Sequence, residues 1–369
     1  MKITKVAGTL VAAPMSKPWR IGHYLLEKAY AVIVEIETDG GLTGVGECCA
    51  RLGASATRCL VNDLLGPVLL GEDPLNIEGL WQRLFNLMRF RGHTRGYFVE
   101  ALSGIDIALW DLAGKAAGVP VSRLLYGCGR TELPVYASSI FWDAPPAMAA
   151  IAEALAGQGF DAMKVKVGQG VERDVECLTV IRQAVGPGIH LTVDANGAYG
   201  VSDAIRLARG MERLDVRWFE EPVPADDLAG YAALAARTDI PVAAGEAEFS
   251  VCGVKELLSH GVRVIQPDVG RAGGITESRR IVAVAEAFHV PYAPHTGASS
   301  AVSAAASLQL AAAAPSFLVY EHMVGENPLG RVLLSEPLTE PKNGVIPVPQ
   351  GPGLGISLDR RALEKYRVV

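Results

Sequence analysis

The sequence predicts an α/β protein: a βα barrel that carries a separate α+β lobe at its N-terminal end. The chain has 369 residues, enough for a barrel of about 250 residues plus a second lobe. From Ser138 onward, short apolar runs end in polar residues at similar intervals. Residues 1–130 lack this rhythm and place strands before helices, which is typical of an α+β unit.

The polar residues that end the apolar runs define the barrel. Between Lys166 and Glu321 they follow one another at intervals of 22 to 28 residues. One helix, one short strand and two loops fill such an interval. Because the carboxyl ends of barrel strands meet at one mouth, these residues are predicted to form a single ring. Its members are Ser138, Lys164, Lys166, Asp194, Glu220 or Glu221, Glu246, Asp268, His295 and Glu321.

The N-terminal lobe begins with predicted strands. Gly8 and Thr9 break the apolar stretch of residues 1–15, which favours a strand over a signal peptide. Residues 28–38 read as a strand, and the turn at 39–41 leads into 42–47 as a hairpin. The polar stretches 14–24 and 48–55 are predicted to be irregular loops.

Helices follow in the same lobe. They are predicted from near Ala54 to just before Gly66-Pro67, over 77–89, and over 98–117 with Gly118 as the stop. After Glu321 five prolines fall between positions 337 and 352, so this tail is predicted to return to the first lobe. The expected domains are residues 1–130, 131–330 and 331–369.

Composition excludes several classes of function. The net charge is −6 and no Lys/Arg cluster exceeds two residues, so neither nucleic acid nor a membrane is an expected partner. Six scattered cysteines without a CxxC pair favour a reducing cytoplasm. The apolar run 301–314 is too short and too interrupted to span a bilayer. A cytoplasmic protein that acts on a small molecule is expected.

Two lysines are candidates for proton transfer. Lys164 and Lys166 are two apart on a predicted strand and therefore point to the same side. Neighbouring ammonium groups repel each other, which is expected to lower their pKa values and to favour a base. The alternative is an exposed strand edge, but helices flank a barrel strand and leave little such edge.

Three carboxylates are candidates for a metal site. Asp194, a glutamate at 220 or 221, and Glu246 end three successive strands, and three hard oxygens suit Mg²⁺. The alternative is that each carboxylate caps the helix that follows it, which is common for a single residue. Three carboxylates at the ends of successive strands favour a metal site instead. Spacing leaves the choice between Glu220 and Glu221 open, whereas Glu246 fits the interval better than Glu248.

His295 differs from the other histidines by its position at a predicted strand end. Asp268 ends the preceding strand, near enough to accept a ring N–H of His295 and to fix its tautomer. A lone histidine is more often structural than catalytic, so the prediction of a catalytic His295 depends on its pairing with Asp268. His322 follows Glu321 directly and is expected to point the other way.

These motifs resemble a known family. KVK, VDANG, WFEEPV, GE, QPD, PH and a late glutamate are similar to the mandelate racemase/muconate lactonizing group of the enolase superfamily. Residues 103–127 and 351–359 are similar to its last capping helix and its C-terminal return. The resemblance implies a (β/α)7β modified TIM barrel with an α+β capping domain formed by the N-terminal part and the C-terminal tail. Family members are usually symmetric, so a homo-oligomer is expected.

The resemblance also implies the roles of the ring residues. Mg²⁺ would be held by Asp194, Glu220 and Glu246. Lys166 would be the base on one face of the substrate, and the His295–Asp268 dyad would serve the other. Lys164 would neutralise the substrate carboxylate, and a protonated Glu321 would donate a hydrogen bond to it.

The expected chemistry starts from the proton α to a carboxylate. Its removal creates a dianionic enediolate, which Mg²⁺, Lys164 and a protonated Glu321 would stabilise. A second acid on the opposite face then permits dehydration, racemisation or epimerisation, or lactone cycloisomerisation. A Schiff-base aldolase using Lys166 is an alternative of another class, but it leaves the three carboxylates unexplained.

The choice among these reactions is predicted to depend on the capping loops. Their cationic and hydrogen-bonding residues suit hydroxyls or a second carboxylate, which favours dehydration of an acid sugar to a 2-keto-3-deoxy acid; the alternative is that they are solvated loop side chains. The candidate substrate-binding residues are Trp19, Arg20, His23, Tyr24, Arg51, Asn196 and Arg271.

Overall fold

The computed structural model describes residues 1–21, 24–126, 129–325 and 327–368. The N-terminal lobe opens with a three-stranded antiparallel sheet of order β1-β2-β3. Its strands are β1 (Ile3–Ile21), β2 (Tyr24–Thr38) and β3 (Thr43–Cys48). The predicted hairpin is confirmed. The prediction of an irregular loop over 14–24 is wrong, because backbone pairing continues through the polar stretch with one register shift between Pro14 and Trp19.

Helices complete the lobe. They are α1 (Ala54–Cys59), a π-helical segment (Leu60–Leu65), α2 (Gly66–Leu69), α3 (Ile77–Arg89), α4 (Tyr97–Ala117) and α5 (Val121–Tyr126). The predicted α3 is confirmed, and Gly118 caps α4 in the left-handed conformation with φ 69°. The prediction that the first helical stretch ends before Gly66 is wrong. Leu65 and Gly66 keep helical dihedral angles, so the π-helical segment continues into α2, which carries Pro67 in its first turn.

Glycines allow α4 to pack directly on the sheet. A Cβ atom at Gly46 would lie 2.0 Å from the carbonyl oxygen of Gly104, and one at Gly44 would lie 2.1 Å from that of Ala108. The backbone N–H of Val45 between them donates to Asp111 at 2.8 Å. Only glycine permits this approach, so β3 is fixed against the helix.

The second part of the chain alternates strands and helices in a parallel barrel. Its strands are β4 (Glu132–Ile140), β5 (Ala162–Lys166), β6 (His190–Asp194), β7 (Val216–Glu220), β8 (Val242–Ala244), β9 (Val264–Ile265) and β10 (Tyr320–Met323). Its helices are α6 (Pro145–Gly157), α7 (Val171–Val185), α8 (Val201–Met211), α9 (Leu228–Ala235), α10 (Val251–Ser259), α11 (Gly274–Ala287) and α12 (Ala301–Ala313). Within the described ranges, no helix is both long and apolar enough to cross a bilayer.

The seventh strand position of the barrel, between β9 and β10, is very short. Tyr292 forms parallel bridges to Ile265 on one side and to Phe317 on the other. β10 then pairs with β4, with Glu321 opposite Tyr136. Seven helices therefore alternate with eight strand positions, which confirms the (β/α)7β barrel with its capping lobe.

The C-terminal tail connects the barrel to the first lobe. It contains α13 (Leu329–Val332), β11 (Val345–Pro347), which pairs antiparallel with β4, and α14 (Arg360–Lys365). The N–H of Leu354 then donates to Asp111 at 2.8 Å, and the N–H of Val368 donates to the carbonyl of Leu10 at 2.9 Å. The predicted return of the tail is confirmed.

Buried polar contacts join the lobe to the barrel. Glu47 of β3 accepts hydrogen bonds from the N–H and hydroxyl of Ser300, at 2.8 and 2.5 Å, and from the N–H of Ser303 at 2.7 Å. These donors lie at the start of α12, where a negative charge is favourable. Asp106 of α4 accepts from the N–H and hydroxyl of Thr276 in α11, at 2.9 and 2.6 Å. The lobe is thus fixed over the barrel mouth.

Candidate active site

Three carboxylates converge at the barrel mouth from successive strand ends. Asp194, Glu220 and Glu246 each bring one oxygen to within 4.8 Å of the others, and all three are buried. Burial and the nearby Asp194 raise the pKa of Glu220 to about 7, because a buried negative charge beside another carboxylate is unfavourable. Three crowded hard oxygens fit a divalent cation. Of the two glutamates that spacing left open, Glu220 belongs to this cluster; Glu221 is buried but stands outside it.

Lys164 is buried among carboxylates. Its Nζ lies 2.7 Å from Oε1 of Glu220, 2.7 Å from Oε1 of Glu321 and 3.5 Å from Oδ2 of Asp194. Burial lowers its pKa, but Glu220 and Glu321 outweigh burial and hold the pKa well above its usual value. The expectation of a lowered pKa is therefore wrong for Lys164, because these carboxylates favour its charged form. The carboxylates reach it from β7 and β10, which the local sequence around Lys164 does not reveal.

Lys166 lies nearer the solvent, with its side chain 16% exposed. Its Nζ donates to Asp194 and, at 2.9 Å, to Oδ1 of Asn196. Asn196 in turn donates its backbone N–H to Oδ1 of Asp194 at 2.9 Å. The loop after β6 therefore fixes the position of the ammonium group.

Glu321 is surrounded by donors. It accepts from the hydroxyl of Ser138 at 2.6 Å and from the N–H of Thr296 at 2.6 Å, besides its ion pair with Lys164. Burial raises its pKa, but Lys164 and His295 outweigh burial and keep the pKa well below the usual range. The expectation of a protonated Glu321 is wrong for this arrangement, because all three donors stabilise the carboxylate.

His295 and Asp268 form the predicted pair. Nδ1 of His295 lies 2.8 Å from Oδ2 of Asp268, whose other oxygen accepts the N–H of Gly270 at 2.8 Å. Nε2 of His295 lies 3.1 Å from Glu246 and 3.2 Å from Nη2 of Arg51. Burial lowers the pKa of His295, but Glu246 and Glu321 raise it to about 10.

A cavity at the barrel mouth brings the two candidate bases together. Lys166 of β5 and His295, which follows the bridge residue Tyr292, both line it, and β4 and β10 lie between these two strand positions. The capping lobe covers the cavity with Trp19, whose ring centroid lies 5.1 Å from that of Phe141. Two proton-transfer groups can thus approach one small molecule from different sides.

The structure brings only part of the predicted substrate-binding set together. Trp19, Arg51 and Asn196 line the cavity. Arg271 lines an adjoining chamber that Arg51 separates from it, and contacts Glu100 at 3.1 Å. His23 lies outside the described residues. Arg20 and Tyr24 belong to β1 and β2, but their side chains lie outside the described part of the chain.

Sequence reasoning missed several cavity residues. Ser139, Phe141 and Met323 line the cavity beside the predicted ring. Each follows a ring residue by one to three positions, and Ser139 has a positive φ of 75° that turns the chain after Ser138. Period-two alternation assigns Ser139 and Phe141 to the side opposite Ser138, whereas it places Met323 on the same side as Glu321, which was the available signal for Met323.

Both lobes of the chain match models of known protein families. The profile described as "Mandelate racemase / muconate lactonizing enzyme, N-terminal domain" matches residues 4–126, and "Enolase C-terminal domain-like" matches residues 147–362. The chain belongs to this family. The mandelate racemase-like resemblance stated from the motifs is confirmed, as is its place in the enolase superfamily.

Characterised relatives in the family include isomerases and dehydratases. The chain is 37% identical to D-galactarolactone cycloisomerase of Agrobacterium fabrum, over 100% of this chain and 99% of that protein. It is 33% identical to arabinonate dehydratase of Saccharolobus solfataricus, over 91% of this chain and 90% of that protein. This mandelate racemase-like protein is therefore an enzyme.

Solved structures of the same superfamily agree with the fold. The 3,6-anhydro-D-galactonate cycloisomerase of Zobellia galactanivorans superposes with a TM-score of 0.91, 33% identity and 100% coverage of both chains. A racemase of Streptomyces coelicolor with bound magnesium gives a TM-score of 0.91 at 29% identity, over 99% of this chain and 100% of that one. The mandelate racemase-like fold thus extends over the whole chain.

Proposed function

We propose that the protein removes the proton α to the carboxylate of an acid sugar and dehydrates the sugar to a 2-keto-3-deoxy acid, with Mg²⁺ as cofactor. One observation carries this proposal: Lys166 and His295 line the same small cavity above a trio of carboxylates. A proton-accepting group and a proton-donating group on different sides of one substrate are what an elimination needs.

Asp194, Glu220 and Glu246 would hold the cation. When bound, Mg²⁺ would draw negative charge from the carboxylate oxygens of the substrate. The hard-oxygen donor set, the burial of the trio and the bound magnesium of the Streptomyces coelicolor racemase support this cofactor.

The remaining steps belong to the side chains. The buried cation of Lys164 attracts the substrate carboxylate and offsets the charge that develops as the α C–H bond breaks. Lys166 in its neutral form accepts the α proton. The electron pair of that bond then forms a double bond as the C–O bond at the β carbon breaks. His295 donates a proton to the departing hydroxyl, water leaves, and the enol tautomerises to the 2-keto acid.

The substrate class follows from the covering side chains. Arg51 and Asn196 bring hydrogen-bond donors to the cavity, and Trp19 and Phe141 close it from above. A polyhydroxylated chain offers acceptors for these donors. Relatives named for arabinonate, xylonate and galactonate dehydration support an acid sugar.

Lactone cycloisomerisation is the second candidate. The relative that aligns over the full chain at 37% identity is a D-galactarolactone cycloisomerase. Its chemistry would use the same α-proton removal, with the ring oxygen as the group that leaves the β carbon. The Schiff-base aldolase has no comparable support, since it leaves the carboxylate trio without a role and the relatives are named as a cycloisomerase and dehydratases.

Product analysis separates these reactions. Incubation with a library of aldonates, aldarates and aldarolactones, followed by semicarbazone detection and mass spectrometry, is expected to reveal a keto acid lighter than its substrate by one water. A keto acid of unchanged mass from a lactone would instead establish the cycloisomerase. α-Proton exchange in D₂O without a keto product would indicate a racemase or epimerase and would overturn both.

We further propose that residues 1–130, 131–330 and 331–369 are the functional units of the chain. Separate sheets in the lobe and the barrel, and the return of the tail to Asp111 and Leu10, support this division. Assembly as a homo-oligomer stays a prediction.

A further inference from the structure

The carboxylate of Glu220 is held on both oxygens inside the barrel. Its Oε1 accepts from Lys164 at 2.7 Å. Its Oε2 accepts from the side-chain amide of Gln266 at 2.7 Å and from the indole N–H of Trp218 at 3.3 Å. These four side chains are 1% exposed, so protein contacts rather than bulk solvent fix the direction of the carboxylate.

The amide of Gln266 has one chemically acceptable orientation. A metal ligand is ionised, and reversing the amide would set its oxygen 2.7 Å from an oxygen of the ionised Glu220, so the NH₂ group faces Glu220. The other end of the amide, Oε1, is buried without a hydrogen-bond partner among the described residues. A buried amide that leaves its oxygen unsatisfied carries a free-energy cost, and its contact with Glu220 is the feature that offsets that cost.

The backbone around Gln266 is fixed against the strand that carries another ligand. The N–H of Gln266 donates to the carbonyl of Ala244 at 2.9 Å. Next to Ala244, Gly245 has a φ of 144°, and a Cβ atom there would lie 2.7 Å from the nitrogen of Gln266. This close approach places Gln266 directly beside the backbone that leads into Glu246.

Trp218 is fixed in a similar way. It lies two residues before Glu220 on β7 and therefore points into the same barrel interior. Its ring meets that of Tyr136 edge to face, with the centroids 5.5 Å apart. Both donors are neutral, so they orient the carboxylate and leave its negative charge available to a cation.

We propose that Gln266 and Trp218 are positioning residues that aim the carboxylate of Glu220 at the bound cation. In the Gln-Pro-Asp stretch, Gln266 then supports a metal ligand while Asp268 supports His295. The inference rests on the proposed role of Glu220 as a ligand. Residues that orient metal ligands typically contribute about 10- to 100-fold to metal affinity.

The test is the affinity of the purified full-length protein for Mg²⁺, measured by calorimetry, with the EPR spectrum of bound Mn²⁺ as a second readout. Gln266→Met removes the donor at similar length and is expected to raise the Mg²⁺ dissociation constant about 10- to 100-fold and to alter the Mn²⁺ spectrum. Trp218→Phe keeps an aromatic ring and is expected to raise the constant less, because its hydrogen bond is the longer one.

Tyr136→Phe is the matched control. It removes a buried hydroxyl from the same barrel interior, but that hydroxyl has no hydrogen-bond partner among the described residues. Its Mg²⁺ affinity is expected to equal that of the parent. If Gln266→Met fails to fold, Gln266→Asn retains an amide that falls one methylene short of Glu220, and the same loss of affinity is expected.

The outcomes separate this inference from the proposed function. Glu220→Gln is expected to weaken Mg²⁺ binding more than either positioning variant. If Glu220→Gln binds Mg²⁺ like the parent, the ligand assignment fails. If Glu220→Gln loses affinity while the Gln266 and Trp218 variants stay within twofold of the parent with unchanged Mn²⁺ spectra, the positioning role is overturned and the ligand assignment stands.

Discussion

The Nζ atom of Lys164 lies 2.7 Å from Oε1 of Glu321, in an ion pair that is closed to solvent on both sides. Lys164 belongs to β5 and Glu321 to β10, so the pair reaches across the intervening strand β4. The same ammonium group contacts Glu220 at 2.7 Å. One lysine therefore neutralises carboxylates from two other strands of the barrel.

Replacing Lys164 by Met is expected to lower the free energy of unfolding by about 3–5 kcal/mol, because it leaves buried carboxylates without a cation. Urea unfolding of the metal-free protein measures this loss. The pKa of Glu321 is lowered in the folded parent, so its stabilising contribution is present above about pH 4.3 and is lost as the pH falls. The difference between variant and parent is therefore expected to shrink in acid. Lys166→Met, at a more exposed lysine, should cost less; an equal cost would contradict the burial argument.

Magnesium is expected to stabilise the folded protein. Asp194, Glu220 and Glu246 crowd their oxygens within 4.8 Å, and a cation that binds only the folded state adds about 2.7 kcal/mol at 100 times its dissociation constant. Thermal unfolding with and without Mg²⁺ should show a higher Tm, which EDTA reverses. Glu246→Gln should abolish the rise, whereas Glu248→Gln, whose carboxylate pairs with Arg95 at 3.2 Å, should retain it. A rise that survives in Glu246→Gln would exclude this trio as the site.

Substituting Asn for Asp268 is expected to reduce kcat by about 10²- to 10⁴-fold, the usual contribution of a positioned acid or base. Asp268 accepts from Nδ1 of His295 at 2.8 Å and so keeps Nε2 turned toward the cavity. The Mg²⁺ dissociation constant, measured by calorimetry, should stay within about twofold of the parent, because Asp268 stands outside the ligand trio. Undiminished turnover would show that His295 does not depend on this partner.

Stability should depend on pH through Asp106. Burial raises the pKa of this carboxyl to about 7, so the folded state holds a proton that the unfolded chain releases above about pH 4. Its contribution to stability is full below that pH and is lost as the pH rises to 7. Asp106→Asn lacks this loss, so its unfolding free energy relative to the parent should increase between pH 4 and pH 7. A difference that stays constant over this range would refute the raised pKa.

Trp19→Ala is expected to raise KM more than it lowers kcat. Its ring packs against Phe141 with centroids 5.1 Å apart and lines the cavity from the capping lobe. Loss of packing against the bound substrate worth about 1.4 kcal/mol corresponds to about tenfold in KM. Trp19→Phe keeps the stacking surface and should stay close to the parent. Steady-state kinetics on the substrate found in the library screen would decide.

The barrel could be predicted because its strands are buried and repeat at nearly constant intervals. The ends of apolar runs are less exact markers: Glu246 lies two residues beyond β8, and Asp268 lies three beyond β9. The barrel strand before His295 is reduced to two bridges at Tyr292. The apolar run of that segment nevertheless predicted the position of His295 correctly. Hydrophobic burial determines the spacing of the apolar runs. That spacing is kept even where backbone pairing is too short to define a strand.

The properties of the site were harder to predict than its members. Two lysines on the same side of β5 suggested mutual repulsion, but the carboxylates that raise the pKa of Lys164 belong to β7 and β10. The same distant donors reverse the expected state of Glu321. Such effects depend on contacts between residues far apart in the chain, and the local sequence carries no direct signal for them.

Glu47 has a consequence for protein engineering. Its buried carboxylate, supplied by β3, receives three hydrogen bonds from the first turn of α12, the helix that follows the loop of His295. A chimera that combines this capping lobe with the barrel of a relative must therefore also carry a serine at the position of Ser300, because its hydroxyl is the one side-chain donor among these three hydrogen bonds. Substrate preference is thus expected to be transferable only when β3 and the start of α12 are exchanged together.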